Sequence, residues 1–155
     1  MPETRPADCI FCSIVTFVLP AHIVYQDEDF VAFLDNHPLF PGHVLLCPRE
    51  HYVTLLDLPK ELAGAAMTRV QLLAKAVETA LDAEGTFIAI NNRVSQTVPH
   101  LHIHVVPRRR RDGLKGFFWP RHNYQDEAAI EAVRDAIERA VSKLQDSRPS
   151  PETHG

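Results

Sequence analysis

His100-Leu101-His102-Ile103-His104-Val105-Val106-Pro107 is the stretch on which the reading of this chain turns. Strand side chains alternate between two faces with period two, so this spacing predicts a strand with three histidines on one side. Leu101, Ile103 and Val105 then point the other way, into a core. Alternate strand residues lie about 6.6 Å apart, so a row of imidazoles can span a phosphate-sized group. Near neutral pH an imidazole can donate, accept, attack or carry charge. Two plainer readings compete: histidines that merely decorate a strand, and a row that binds metal, which would occupy the rings as ligands.

The rest of the chain bounds what this strand can belong to. A length of 155 residues with 45% hydrophobic content fits one globular domain with a sizeable core. The net charge of −4 and a pI near 6.1 argue against a general nucleic-acid surface, and no stable nucleic-acid complex is expected. No apolar run approaches a membrane span, and Met1-Pro2-Glu3-Thr4-Arg5-Pro6 leads into no signal-like apolar core, so cytoplasmic residence is the expectation. Three cysteines form no disulfide framework, and Cys47, set among Val44, Leu45 and Leu46, reads as a buried apolar thiol. Residues 1–8 read as a loose arm, 9–146 as a single domain, and 147–155, with His154, as a polar, proline-broken tail.

Short apolar runs predict strands at Ile23–Tyr25, Phe30–Leu34, Val44–Pro48, Phe87–Ile90 and Leu101–Val106, with Asp27-Glu28-Asp29 as a hairpin turn. Two helices follow from the 3.6-residue period. The first spans about 59–81, with Leu62, Ala66, Val70, Leu73, Val77 and Leu81 as its stripe, Asp57 as N-cap and Glu84-Gly85 as exit. The second spans about 126–144, with Ile130, Val133, Ile137, Val141 and Leu144 facing inward. The expected class is α+β: a five-stranded, mostly antiparallel sheet with two main helices.

Cys9-Ile10-Phe11-Cys12 is a close pair of soft ligands, and two cysteines with two histidines suit tetrahedral zinc. His22, His37, His43, His51 and His100 are the candidates for the other two positions. Asp35 ends an apolar strand, where a carboxylate can accept two ribose hydroxyls or cap the turn at Asn36-His37-Pro38. Gln96-Thr97-Val98, just before the histidines, can aim backbone N–H groups at an anion. Asn91 and Asn92 can contact the same group or make a turn. Arg108-Arg109-Arg110-Arg111 reads equally as a phosphate attractor and as a solvated turn.

Taken in order, Cys9–Val15, Ala32-Phe33-Leu34-Asp35, Pro41-Gly42-His43, Pro48 with His51, Gln96–Pro99 and the three alternating histidines resemble the histidine triad (HIT) superfamily of nucleotide hydrolases and transferases, over residues 9 to 107. The resemblance implies a HIT-like fold, a two-fold homodimer joined through strands, and a small-molecule nucleotide substrate. It implies His102 as the nucleophile of a nucleotidyl–histidine intermediate, assisted by His104 and His100. It implies a substrate pocket of Phe11, Ile14, Asp35, Asn91, Asn92, Gln96, Thr97 and Val98. Among the histidine candidates it selects His51 and His100 to join Cys9 and Cys12 around a structural zinc. Two features depart from the pattern. Arg93-Val94-Ser95 stands where relatives carry glycine, and His37 replaces an apolar residue. Gly116-Phe117-Phe118-Trp119-Pro120-Arg121 lies outside the pattern and reads as packing or dimer contact, with base stacking over the cleft as the alternative and Lys115 and Arg121 as further phosphate contacts. Hydrolysis is the expected reaction. Nucleotidyl transfer and non-catalytic nucleotide binding are the alternatives.

Overall fold

The computed structural model describes residues 6–114 and 122–146. Within them the elements run α1 (Ile10–Val15), β1 (Ile23–Gln26), β2 (Phe30–Leu34), β3 (Val44–Pro48), α2 (Lys60–Leu81), β4 (Gly85–Ala89), β5 (Ile103–Arg108) and α3 (Glu127–Asp146). The expectations for residues 1–5, for the segment 115–121 and for the tail from 147 lie outside the described residues. No helix among the described residues is long and apolar enough to cross a membrane.

The strands form one five-stranded sheet in the order β1-β2-β3-β5-β4, with every neighbouring pair antiparallel. The predicted α+β class holds. β2 and β3 read as unbroken apolar runs because both faces of the sheet are covered there. Phe30, Ala32, Val44, Leu46, Leu101, Ile103 and Val105 pack on one face with Ala66, Val70, Leu73 and Val77 of α2. Val31, Phe33, Leu45 and Cys47 pack on the other with Cys9, Phe11, Cys12, Ile14 and Val15 around α1. Each large apolar side chain so buried contributes about 1.5–3 kcal/mol. Cys47 is fully buried, and burial pushes its thiol pKa well up, which keeps it protonated and inert.

Several boundaries differ from those the sequence predicts. α1 is absent from the periodicity reading because six residues are too few to establish a period. Asp57 does not cap α2. Its carboxylate accepts from the backbone N–H and hydroxyl of Thr54, closing a capping box on a separate 3-10 turn, Leu55–Asp57, and Pro59 stands at the N-cap. α2 ends on Asp82 in the left-handed conformation, while Gly85 opens β4, two residues ahead of the predicted start. β5 begins at Ile103, two residues after the predicted start, so His102 immediately precedes the strand and His100 lies in the bend that leads to it.

Gly42 must be glycine. Its φ is +97°, and an added Cβ would collide with Leu81 of α2. It delivers the chain from the loop after β2 into β3, with His43 at the hinge. The chain divides into two compact units, residues 1–114 and 115–155. The first holds the sheet, α1 and α2. In the second, α3 forms as predicted; Ile130, Val133, Ile137, Val141 and Leu144 are 41–72% exposed and no described residue of the helix is buried.

Candidate active site and metal centre

α1 begins at Cys9, whose sulfur accepts the backbone N–H of Cys12 at 3.4 Å and so takes the place of an N-cap oxygen. A three-residue spacing on a helix start brings both sulfurs to one side. Two loops meet them there. His51 follows β3, His100 precedes β5, and Leu101 N–H to Tyr52 O, at 2.6 Å, ties the loops together. Cys9, Cys12, His51 and His100 are all buried, and their ligand atoms lie within 4.8 Å of one another.

The donor set fits zinc. Cys12 Sγ lies 3.3 Å from His51 Nδ1 and 3.5 Å from His100 Nδ1, and Cys9 Sγ lies 3.6 Å from His100 Nδ1. The S–N edge of a zinc tetrahedron is about 3.6 Å for the usual bond lengths. His100 Nε2 is 2.9 Å from the carbonyl of Pro48. A carbonyl can only accept, so the His100 proton sits on Nε2 and the unprotonated Nδ1 faces the sulfurs, as a metal-binding imidazole requires. The four residues that the resemblance selects form a Cys2His2 cluster suitable for Zn2+.

Beside this cluster a cleft of about 440 Å³ opens on the α1 side of the sheet. Phe11 and Ile14 of α1, Asp35 at the end of β2, Thr97 and Val98 of the loop before β5, and His102 and His104 line it. His102 and His104 stand 4.9 Å apart between ring centroids, and Phe11 meets His102 edge-on at 5.0 Å. His102 Nδ1 is 2.7 Å from the carbonyl of His100, so this ring carries its proton on Nδ1 and turns its Nε2 lone pair outward. His104 is half-buried, and burial, with smaller repulsion from His102 and His43, lowers its pKa to about 4. It is neutral at pH 7.

Asp35 caps the turn that its position suggests and stands at the cleft. One oxygen accepts from His37 N–H at 2.8 Å, closing a turn, and the carboxylate also lines the cleft. Asn91, Asn92, Gln96 and His100 are not in the cleft wall. Asn92 Oδ1 accepts from Leu55 N–H at 3.0 Å. Gln96 bridges the loop: Oε1 accepts from Arg93 N–H at 2.8 Å and Nε2 donates to Val53 O at 2.6 Å. Those bonds brace an unusual backbone. Arg93 and Ser95 adopt left-handed φ of 69° and 60° where glycine would do so without strain. The arginine run makes a turn. Arg108 pairs with Asp112 at 2.6 Å, Arg109 donates to Leu81 O, Arg110 lies 3.4 Å from Glu84, and none lines the cleft.

Residues that the sequence reading left without a role also reach the cleft: Ile10, Ala21, Phe33, Leu34, Asn36 and Leu45 line it. His37, singled out in the sequence, lines it too. His43 is buried against His104. Strand parity is the sequence signal for it: Leu45 and Cys47 face α1, so His43, two residues earlier, falls on the same side.

Comparison with known proteins agrees with this architecture. The model of the HIT domain family matches residues 16–111. An uncharacterised HIT-like protein of Mycobacterium tuberculosis is 36% identical over 143 residues, covering 89% of this chain and 99% of that protein. Adenosine 5′-monophosphoramidase of Saccharomyces cerevisiae is 35% identical over 121 residues, covering 77% of this chain and 74% of that protein. The crystal structure of a zinc-bound histidine triad family protein from Mycobacterium smegmatis superposes with a TM-score of 0.66 at 38% identity, covering 88% of this chain and 97% of that one. The matched span carries the sheet, both triad histidines of the cleft and both metal-site histidines, and α1 just ahead of it brings the rest of the cleft wall and the cysteine pair that completes the Cys2His2 cluster: the chain belongs to the HIT family, in its zinc-binding branch.

Proposed function

We propose that the protein is a nucleotide hydrolase that cleaves at the α-phosphate of a nucleoside phosphoramidate or a dinucleoside polyphosphate. The observation that carries this reading is the bond from His102 Nδ1–H to the His100 carbonyl, which leaves an unprotonated Nε2 at the cleft. In the first step Nε2 bonds to the α-phosphorus, the P–N or P–O bond to the leaving group breaks, and the leaving group takes up a proton. In the second, water attacks the same phosphorus, the P–N bond to His102 breaks, and a nucleoside monophosphate departs.

His104 donates to non-bridging oxygens, Thr97 lies where it can meet phosphate or leaving group, Asp35 accepts from ribose, and Phe11, Ile14 and Val98 wall the base. Asn91 lies two residues past the end of β4, where this loop begins. Asn92 and Gln96 act through it, holding Thr97 and Val98 in place. Zinc, when bound, braces the structure and supplies no nucleophile; Cys9, Cys12, His51 and His100 hold it. A histidine at the third triad position and the yeast relative's printed activity both favour water as acceptor and a phosphoramidate as substrate. Homodimer formation and cytoplasmic residence belong to the same reading. β4 is an edge strand, and the resemblance joins subunits through strands.

The test is turnover of adenosine 5′-phosphoramidate and of a dinucleoside polyphosphate, followed as monophosphate release by chromatography. His102→Ala is expected to lower kcat by at least about 10³-fold while nucleotide binding by calorimetry persists. Binding without turnover in the parent protein would support a non-catalytic nucleotide-binding module, and a nucleotidylated acceptor in place of the monophosphate would support a transferase.

A further inference from the structure

The apolar pattern of α3 has a centre. Ile130 and Val133 stand 7 and 4 residues before Ile137, and Val141 and Leu144 stand 4 and 7 residues after it. The steps run 3-4-4-3, the same read from either end. A heptad seam steps 3-4-3-4 and would put its fourth large side chain at 140, where this chain has Ala140. At about 100° per residue all five side chains fall within about 40° of Ile137, a narrow stripe along a helix of about 30 Å. They are exposed in the single chain.

The two flanks of the stripe differ. Glu127, Arg134 and Glu138 border it on one side, and Ala129, Ala136 and Ala140 on the other. In an antiparallel pair related by a two-fold axis, each flank meets its own counterpart, and residue i meets j as j meets i. With the axis at Ile137, Ile130 comes opposite Leu144 of the second copy, Val133 opposite Val141, and Ile137 opposite itself. Arg134 then comes within about 3 Å, along the axis, of Glu138 of the second copy, and symmetry forms the same pair again. The alanines meet on the other flank and let the backbones approach. A parallel pair would set Arg134 and Glu138 against alanine. Within one chain Arg134 pairs with its neighbour Asp135 at 2.9 Å, both in the open, so it gives up little in turning to a new partner.

We propose that α3 is a homotypic docking surface, covered by α3 of a second copy of this chain in antiparallel, two-fold register centred on Ile137. The apolar spacing and the charges are self-complementary under that one operation, as an isologous interface requires. This surface is distinct from the edge of β4, and it needs neither strand pairing nor the hydrolase reading.

The experiment uses the full-length, zinc-loaded protein. Val133→Cys and Val141→Cys are purified separately, mixed until subunits exchange, and oxidised in a glutathione buffer; peptide mass spectrometry identifies the disulfides. Cys9, Cys12 and Cys47 are buried, which leaves the introduced thiols as the reporters. A disulfide between position 133 of one copy and position 141 of the other is expected in excess over either homodisulfide. Two copies of one variant would hold their thiols about 12 Å apart, beyond the reach of a disulfide. In sedimentation equilibrium, Ile137→Asp is expected to weaken self-association at least about 30-fold and Arg134→Glu at least about fivefold, while the Arg134→Glu, Glu138→Arg double variant restores it. Homodisulfides at 133 as abundant as the mixed product would make the pairing parallel and overturn the proposal. So would unchanged self-association in Ile137→Asp with no cross-link between copies. A lower melting temperature in Ile137→Asp at unchanged self-association would mean that the stripe is covered within its own chain, and would overturn it as well.

Discussion

Asp27 shows how much one side chain can hold. Its Oδ1 accepts from the backbone N–H groups of Asp29 and Phe30 at 2.9 and 2.8 Å, and its Oδ2 from Tyr25 OH at 2.6 Å and Arg69 Nε at 2.7 Å. One carboxylate thus closes the β1–β2 turn and ties it to α2. Burial alone would raise the Asp27 pKa, but the bonds from Tyr25, Arg69, Phe30 and Asp29 outweigh it and hold the carboxyl well below its ordinary 3.8. A folded pKa below the unfolded one means that this stability is present in full above about pH 4 and is lost as pH falls below it. Asp27→Asn is expected to lower unfolding free energy by about 1–3 kcal/mol at pH 7, with the gap to the parent narrowing toward pH 2. Urea denaturation at both pH values checks the size and the sign. The sequence shows a turn at Asp27 but not its reach to Arg69, because the partner lies 42 residues away and no local pattern links them. Gln96 is similar. Its place beside Thr97 suggests a ligand contact, and its bond to Val53, 43 residues back, is invisible along the chain.

At the scale of elements, periodicity recovered the sheet and α2 because burial on one or both faces imposes a repeat on the sequence. It missed α1, whose six residues carry too little pattern, although the spacing of Cys9 and Cys12 already marks the place. The metal cluster adds to the apolar anchorage of that short helix: its N-cap is a ligand sulfur, and one turn on comes a second. Binding energy at a structural zinc is folding energy. The purified protein is therefore expected to carry one zinc per chain, and the Cys9→Ser, Cys12→Ser double variant to lose it and melt about 10 °C or more lower. Metal analysis and calorimetry measure the two effects. Residual turnover by that variant at low temperature is expected, since His102 takes its orientation from a backbone carbonyl and not from the metal.

For the whole molecule, the sequence reading of α3 gives a helix and an apolar stripe but not what covers the stripe. Five large apolar side chains along α3 stay exposed in a single chain. β4 ends the sheet with one side unpaired among the described residues. Association of two copies is expected, and sedimentation equilibrium should return twice the 17.5 kDa chain mass at micromolar concentration. A monomer mass that persists to high concentration would remove the homodimer. An amphipathic pattern records that a face is to be buried, and the period alone holds nothing about which chain buries it.

His100 enters the two centres through different atoms: its ring faces the sulfurs, and its main-chain oxygen orients His102. Side-chain scanning is therefore blind to half of what this position does. Replacing the ring deletes a metal ligand but leaves the carbonyl where it was, so a scan across the triad would score the first histidine for the metal alone. Its second contribution belongs to the peptide bond, which every residue type supplies, and it is visible only to a change in the path of the backbone.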